Sequence, residues 1–141
     1  MNAKPKHKLA HSNSICAALI GLLLLLGISA SLAQSSLDAL EGASIVANDG
    51  QFLGIISQNK FKDTSISNEF GKYGGKFSST SIFNEFGKYG GEFSSLSPFN
   101  QFTSTPPKIL SKDNKWAYLT ANTSLSPRIS PVSIVAWMNA K

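Results

Sequence analysis

A 16-residue unit occurs twice in succession in this chain, and a third copy begins and then decays. Residues 64–79 read TSISNEFGKYGGKFSS, residues 80–95 read TSIFNEFGKYGGEFSS, and residues 96–104 (LSPFNQFTS) continue in register. The two full copies differ only by Ser67 against Phe83 and by Lys76 against Glu92. A fixed period predicts that one local structure is reused, so the chain must fold with near-identical segments side by side.

Each unit is too aromatic for a flexible linker, because it carries at least one isoleucine, two phenylalanines and one tyrosine. We expect a mini-helix that is capped by Ser65 or Ser81 and ended by Gly71 or Gly87, since serine and glycine favour those positions. The Lys-Tyr-Gly-Gly segment then predicts a turn, and the Phe-Ser-Ser segment an extended stretch. The repeats are therefore predicted to form an ordered, compact loop array.

The start of the chain has the three-part layout of a secretory signal peptide. Basic residues at positions 4–8 precede an apolar stretch at 15–26, and residues 31–33 (Ser-Leu-Ala) offer small side chains at the cleavage positions. Cleavage after Ala33 is therefore predicted, with export by a bacterium to the periplasm or the exterior. The alternative is an uncleaved membrane anchor, because residues 15–33 approach the length of a membrane span.

Removal of this leader changes both the charge and the chemistry of the chain. The sequence carries 13 basic and 8 acidic residues, but residues 1–33 hold three of the lysines and none of the acids, so the net charge falls from +5 to +2. Nucleic-acid binding, which needs a basic surface on the folded domain, is not expected. The single cysteine and both histidines also lie in the leader, as Cys16, His7 and His11. We therefore expect no Ser-His-Asp or Cys-His catalytic system, no metal and no cofactor.

The rest of the sequence predicts a polar lead-in at residues 34–41, with a short helix from Leu37, and one small domain at residues 42–141. Residues 44–47 and 51–56 are β-prone and flank Asn-Asp-Gly at 48–50, a strong hairpin signal. The expected core residues of this hairpin are Ile45, Phe52, Leu53, Ile55 and Ile56.

A second hairpin and a C-terminal helix complete the predicted domain. Residues 108–110 and 116–120 are expected to pair around residues 112–114. Ser130 and Pro131 suit the start of a short helix, with a terminal strand as the alternative. The fold class is therefore β-rich with minor α: a small sheet of two hairpins, a long ordered Gly/Ser/aromatic repeat insertion between them, and a short C-terminal helix.

Two sets of repeat residues are candidates for a role. The Lys-Tyr pairs lie on glycine-flanked turns that we expect to project outward, which makes a candidate binding surface of Tyr73, Tyr89, Lys72 and Lys88. The asparagines recur in all three copies and are expected to bond the local backbone, together with turn glycines. This structural set comprises Asn68, Asn84, Asn100, Gly71 and Gly87.

The order of these motifs resembles an uncharacterised family of small exported bacterial proteins with tandem S-I-x-N-x-x-G-x-Y-G repeats. The resemblance covers residues 42–122 and includes GQFLGIISQN at 50–59, both repeats, PPKI at 106–109 and YLTAN at 118–122. Such relatives often have Tyr-Gly-Ser where this chain has Tyr-Gly-Gly. The resemblance implies no activity.

The expected function is a non-catalytic exported binding or structural module of the cell envelope, and its partner is an envelope glycan or protein. The alternative is a carboxylate-dependent glycan hydrolase built on Glu69 and Glu85, which occupy the same place in the two units. That alternative requires the two carboxylates to converge in one cleft. Contact with a membrane is expected only through the leader, if it is not cleaved.

Overall fold

The computed structural model describes residues 36–140, so the predicted leader lies outside the described residues. The domain is mainly β, with a helical turn at residues 36–38 and one C-terminal helix. The elements are β1 (Ser44–Val46), β2 (Phe52–Ile55), β3 (Lys108–Leu110), β4 (Trp116–Leu119), β5 (Arg128–Ile129) and α1 (Pro131–Met138). The strands form one sheet in the order β2-β1-β3-β4-β5.

Both predicted hairpins are present, and the structure joins them through antiparallel pairing of β1 with β3. The first hairpin turns at Gly50, whose φ of +86° is a conformation that glycine adopts without strain. Asp49 supports this turn by accepting the backbone N–H of Gln51 at 3.2 Å. In the second hairpin, Asn114 takes the left-handed conformation with φ of +58°. Strand β5 pairs in parallel with β4 and was not expected from the sequence.

The core lies between the sheet, helix α1 and the repeats. Three of the five residues predicted for the core of the first hairpin, Ile45, Leu53 and Ile56, are completely buried. Phe52 and Ile55 are only half-buried, so their prediction as full core residues is wrong. Burial does not alternate strictly along β2, because the register with β1 shifts between Ile45 and Val46 and leaves Leu53 as the extra residue.

Helix α1 begins at Pro131 after an extended Ser130, as predicted, although the Ser130 side chain makes no capping hydrogen bond. Its buried face carries Ile134, Trp137 and Met138. The Trp137 indole N–H donates to the Asp38 carboxylate at 2.7 Å, which ties the helix to the lead-in segment. The helix thus closes the core beneath the sheet.

The repeats form an unbroken series of turns at residues 59–105, here called the turn array, and not the predicted mini-helices. Between residues 59 and 97, each turn closes with a backbone hydrogen bond, and the residue that donates this bond accepts the bond that closes the next turn. Successive acceptors are Asn59, Lys62, Ser65, Asn68, Gly71, Gly75, Ser78, Ser81, Asn84, Gly87, Gly91 and Ser94. Four steps of three residues and one of four return the chain to the same phase, which explains the 16-residue period.

Both ends of the turn array are fixed to the sheet. At its start, the Ile55 N–H donates to the Thr64 carbonyl at 2.8 Å, and the Ile66 N–H donates to the Ile55 carbonyl at 3.0 Å. At its end, the Ala121 N–H donates to the Pro98 carbonyl at 2.7 Å. The array is therefore an ordered insertion held at both ends.

Candidate binding surface

The asparagine side chains set the path of the turns. The Asn84 amide N–H donates to the Ser78 carbonyl at 3.1 Å, and the Asn84 amide oxygen accepts the Phe86 N–H at 3.2 Å. The same pair of bonds recurs at Asn68 and at Asn100. Each amide thus joins the turn before it to the turn after it.

Serine hydroxyls supply a second set of local bonds and explain why no helix forms. Ser65, Ser81 and Ser97 are completely buried, and each hydroxyl accepts the backbone N–H two residues further along. Together with the asparagine amides, they capture N–H groups that a helix would use for its own hydrogen bonds. Two residue types with short polar side chains therefore hold the backbone in turns.

Glycines allow the turns to approach one another closely. A Cβ atom on Gly90 would lie 2.4 Å from the Asn84 carbonyl oxygen and 2.6 Å from that of Ile82, and Gly74 is equally confined. Gly71 and Gly87 accept the four-residue turn bonds, from Gly75 and Gly91 respectively. The glycine spacing that the two repeats share thus has a steric cause.

This backbone path places one set of phenylalanines outside. Six phenylalanine side chains are at least nine-tenths exposed: Phe61 (93%), Phe70 (100%), Phe77 (92%), Phe86 (95%), Phe93 (90%) and Phe102 (91%). They are separated alternately by nine and seven residues, so each unit contributes two. We call these six side chains the aromatic surface. Phe61 and Phe70 line one shared cleft and Phe86 and Phe93 line another, and contiguous exposed apolar patches often mark contact sites.

The second unit holds an open cleft of about 600 Å³ within this surface. Phe86 and Phe93 line it together with the buried Ile82 and with the half-buried Phe83 and Phe99. Two exposed carboxylates, Glu85 and Glu92, lie at the same cleft. The cleft is therefore aromatic and anionic, and we call it cleft 2.

The first unit has an equivalent cleft, here called cleft 1, with different chemistry. Its lining includes Ser67 where cleft 2 has Phe83, and Lys76 where cleft 2 has Glu92. Lys60 and Glu69 also line it, and helix α1 borders it through Val135 and Met138, while Phe83 reaches it from the second unit. The only two positions at which the full repeats differ therefore both face these clefts.

The predicted tyrosine surface is not where the sequence placed it. Tyr89 is only 7% exposed and belongs to the core, and its hydroxyl donates to the Asp49 carboxylate at 3.0 Å. Tyr73 is half-buried and packs edge-on against Phe52, with 5.1 Å between ring centroids. The first hairpin holds both rings, Tyr73 through the Phe52 ring and Tyr89 through the Asp49 carboxylate. The outward projection expected for Tyr89 is wrong.

The two lysines of that predicted surface remain exposed beside the rings. The Lys72 ammonium lies 5.5 Å from the Tyr73 centroid, and the Lys88 ammonium lies 5.4 Å from that of Tyr89. Lys88 also donates to the Asp49 carboxylate at 2.8 Å. The lysines therefore cover the tyrosines from the solvent side.

Three ionisable side chains meet in the Asp49 cluster, which comprises Asp49, Lys88 and Tyr89. The hydrogen bond from Lys88 lowers the pKa of Asp49, with smaller contributions from the Gln51 N–H and Tyr89. The same bond raises the pKa of Lys88. Burial, followed by the bond to Asp49, raises the pKa of Tyr89. These groups join the first hairpin to the second repeat.

The carboxylates named for the hydrolase alternative do not share a cleft. Glu85 lines cleft 2, whereas Glu69 lines cleft 1 and a neighbouring cleft that is flanked by Phe61 and Phe70. The structure instead brings Glu85 and Glu92 to the same cleft. Sequence reasoning missed this pair because only the positions shared by both repeats were compared.

The exposed phenylalanines were also missed, although the sequence carries a signal for them. A polar or charged residue precedes every one of the six: Lys60, Glu69, Lys76, Glu85, Glu92 and Gln101. Such pairs at alternating nine- and seven-residue spacing do not fit a strand or a helix with a buried face. The spacing of these phenylalanines therefore indicates exposed side chains and not a buried face.

Comparison of the chain with family models, curated proteins and solved structures finds no match. Among residues 36–140, no helix has the length and apolar character needed to cross a membrane. In the same part of the chain, no three His, Cys, Asp or Glu side chains are grouped so that they could hold a metal ion.

Proposed function

We propose that this chain is an exported, non-catalytic binding or structural module of the cell envelope, and that it makes its contacts through the aromatic surface. Export rests on the leader sequence at residues 1–33 and places the domain in the periplasm or outside a bacterial cell. The contact role rests on one observation, the six phenylalanines that are each at least 90% exposed.

The way in which these side chains are held supports a contact role. The backbone N–H groups of Phe70, Phe86 and Phe102 each donate to the amide oxygen of the asparagine two residues earlier. Rings on a backbone that is already ordered lose little conformational entropy when a partner covers them. Aromatic side chains also supply most of the energy at protein interfaces and at stacking sites.

Fractionation of the envelope from cells that express the chain tests this proposal. We expect the wild-type protein in the envelope fraction, with an intact mass that corresponds to a chain starting near Gln34. We expect the double variant Phe77→Ser/Phe93→Ser in the soluble fraction. Val132→Ser is the matched control, since Val132 is 67% exposed on α1 and outside the aromatic surface. Equal retention of all three proteins contradicts the proposal, and a mass that retains residues 1–33 supports the membrane-anchor alternative.

A second candidate function is glycan hydrolysis at cleft 2, because Glu85 and Glu92 lie there beside aromatic rings. Glycoside hydrolysis commonly uses two carboxylates at one site, and rings of sugars stack on aromatic side chains. Release of reducing sugar from envelope glycans by the wild type, and its loss in Glu85→Gln and in Glu92→Gln, would favour this candidate. Absence of release from all three proteins favours the non-catalytic module.

A further inference from the structure

We infer that the partner of the aromatic surface is a second copy of this chain, docked antiparallel so that cleft 1 of one copy faces cleft 2 of the other. This inference rests on the proposed contact role of the aromatic surface and names its occupant. Its basis is the size of the surface and the charge difference between the two clefts.

The apolar area of the surface matches what a stable pair requires. A phenylalanine side chain buries about 150–250 Å² when covered, so six exposed rings offer on the order of 1,000 Å² per copy. A typical specific interface buries about 800 Å² on each partner. Covering this surface by a second copy would thus produce an interface of ordinary size.

The charges of the two clefts select the orientation. Cleft 1 carries Lys60, Lys76 and Glu69 and has a net charge of +1, whereas cleft 2 carries Glu85 and Glu92 and has a net charge of −2. An antiparallel pair opposes the cationic cleft to the anionic cleft twice. A parallel pair would place like charges opposite each other at both clefts, which is unfavourable.

The repeat itself explains how both halves can fit. Apart from the two differing positions, the units have the same sequence, so the rings of one unit meet a surface of the same shape on the other copy. A two-fold axis between the units brings Lys76 of each copy opposite Glu92 of the other. One substitution between two repeats thus generates two complementary contacts, as a self-complementary interface requires.

Reversal of one charge at a time tests this arrangement by sedimentation velocity on the processed chain over a range of concentrations. We expect a dimer for the wild type and at least about tenfold weaker association for Lys76→Glu and for Glu92→Lys, because each variant opposes like charges at both contacts. An equimolar mixture of the two variants should recover the wild-type dissociation constant, since the mixed pair restores both contacts. Phe77→Ser/Phe93→Ser should be monomeric, and Val132→Ser should resemble the wild type.

A wild-type protein that stays monomeric overturns the inference, as does association that single charge reversal leaves unchanged or that mixing does not restore. Because all the substituted residues are exposed, every variant should have the unfolding midpoint of the wild type by circular dichroism at a concentration low enough for the wild type to be monomeric. The proposed function fails separately. If the wild type is monomeric and its retention in the envelope depends on the phenylalanines, the contact role stands and the second copy is ruled out. If the wild type is a dimer and the phenylalanine variant is still retained in the envelope, the second copy stands and the role of the phenylalanines in retention is ruled out.

Discussion

At the scale of single residues, this domain depends on short polar side chains that bond their own backbone. Serine and asparagine recur in phase with the turns, and each amide or hydroxyl satisfies an N–H group two residues away. Because residues 34–141 contain no cysteine, disulfides do not hold these turns. Local hydrogen bonds and the buried isoleucines of each unit must do so.

Replacement of Asn84 tests the role of the amides. Asn84→Ala removes two hydrogen bonds, and at about 0.5–1.5 kcal/mol for each we expect a loss of about 1–3 kcal/mol in the free energy of unfolding. Asn84→Asp keeps the acceptor for the Phe86 N–H but sets a carboxylate oxygen against the Ser78 carbonyl, so it should also destabilise the domain. Chemical denaturation measures both, and an unchanged midpoint for Asn84→Ala would show that the amide is dispensable.

Replacement of Tyr89 distinguishes a core ring from a contact ring. The side chain is 7% exposed, so Tyr89→Ala should cost about 3–5 kcal/mol, the range for large aromatic truncations in a core. Tyr89→Phe keeps the ring and removes only the bond to Asp49, so it should cost much less. If Tyr89→Ala instead leaves the thermal midpoint unchanged, the ring is not part of the core.

The Asp49 cluster predicts a specific dependence of stability on pH. Lys88 lowers the pKa of Asp49 in the folded domain below its ordinary value of 3.8. The ionised Asp49 carboxylate therefore stabilises the fold at pH values above 3.8. That contribution is lost as the pH falls through the lowered pKa. Urea unfolding should therefore give the wild type a larger free energy of unfolding than Asp49→Asn at neutral pH, and this difference should disappear in acid. A difference that persists in acid would assign the effect of the substitution to something other than ionisation.

At the scale of elements, the sequence predicted the parts whose local chemistry is decisive. The Asn-Asp-Gly turn identified the first hairpin, and Ser130 with Pro131 identified the start of α1. The mini-helices were wrong because apolar spacing at Ile66 and Phe70 matches a helix, while the neighbouring serine and asparagine bonds exclude one. Strand β5 could not be predicted, since its two residues pair only because β4 lies beside them.

The sheet core has its own test in Ile45, which is completely buried on the central side of the first hairpin. Ile45→Ala should lower the free energy of unfolding by about 2–5 kcal/mol through lost burial and the cavity left behind. Ile55→Ala is the matched comparison, because Ile55 is half-buried and should cost less. Equal losses at both positions would contradict the packing of this sheet.

At the scale of the whole molecule, the turn array exposes six phenylalanines and is bonded to the sheet at both ends. The spacing of its phenylalanines did not by itself assign them to the outside, since large apolar residues ordinarily predict a core. What the sequence lacked was the direction of each side chain, which depends on the turn bonds and on the glycine contacts. Tyr89 therefore lies in the core, where an outward ring was expected, and the six phenylalanines lie outside.

The most direct test of this arrangement is the reactivity of single cysteines in the array. Residues 34–141 contain no cysteine, so in a protein that starts at Gln34 each of Phe77→Cys and Ser81→Cys introduces a single thiol. The first site is 92% exposed and the second is completely buried. In dilute solution, a maleimide should label Phe77→Cys about as fast as an unfolded peptide and Ser81→Cys only as fast as the domain opens. Equal rates in two folded proteins, or faster labelling at position 81, would contradict an outward row of phenylalanines.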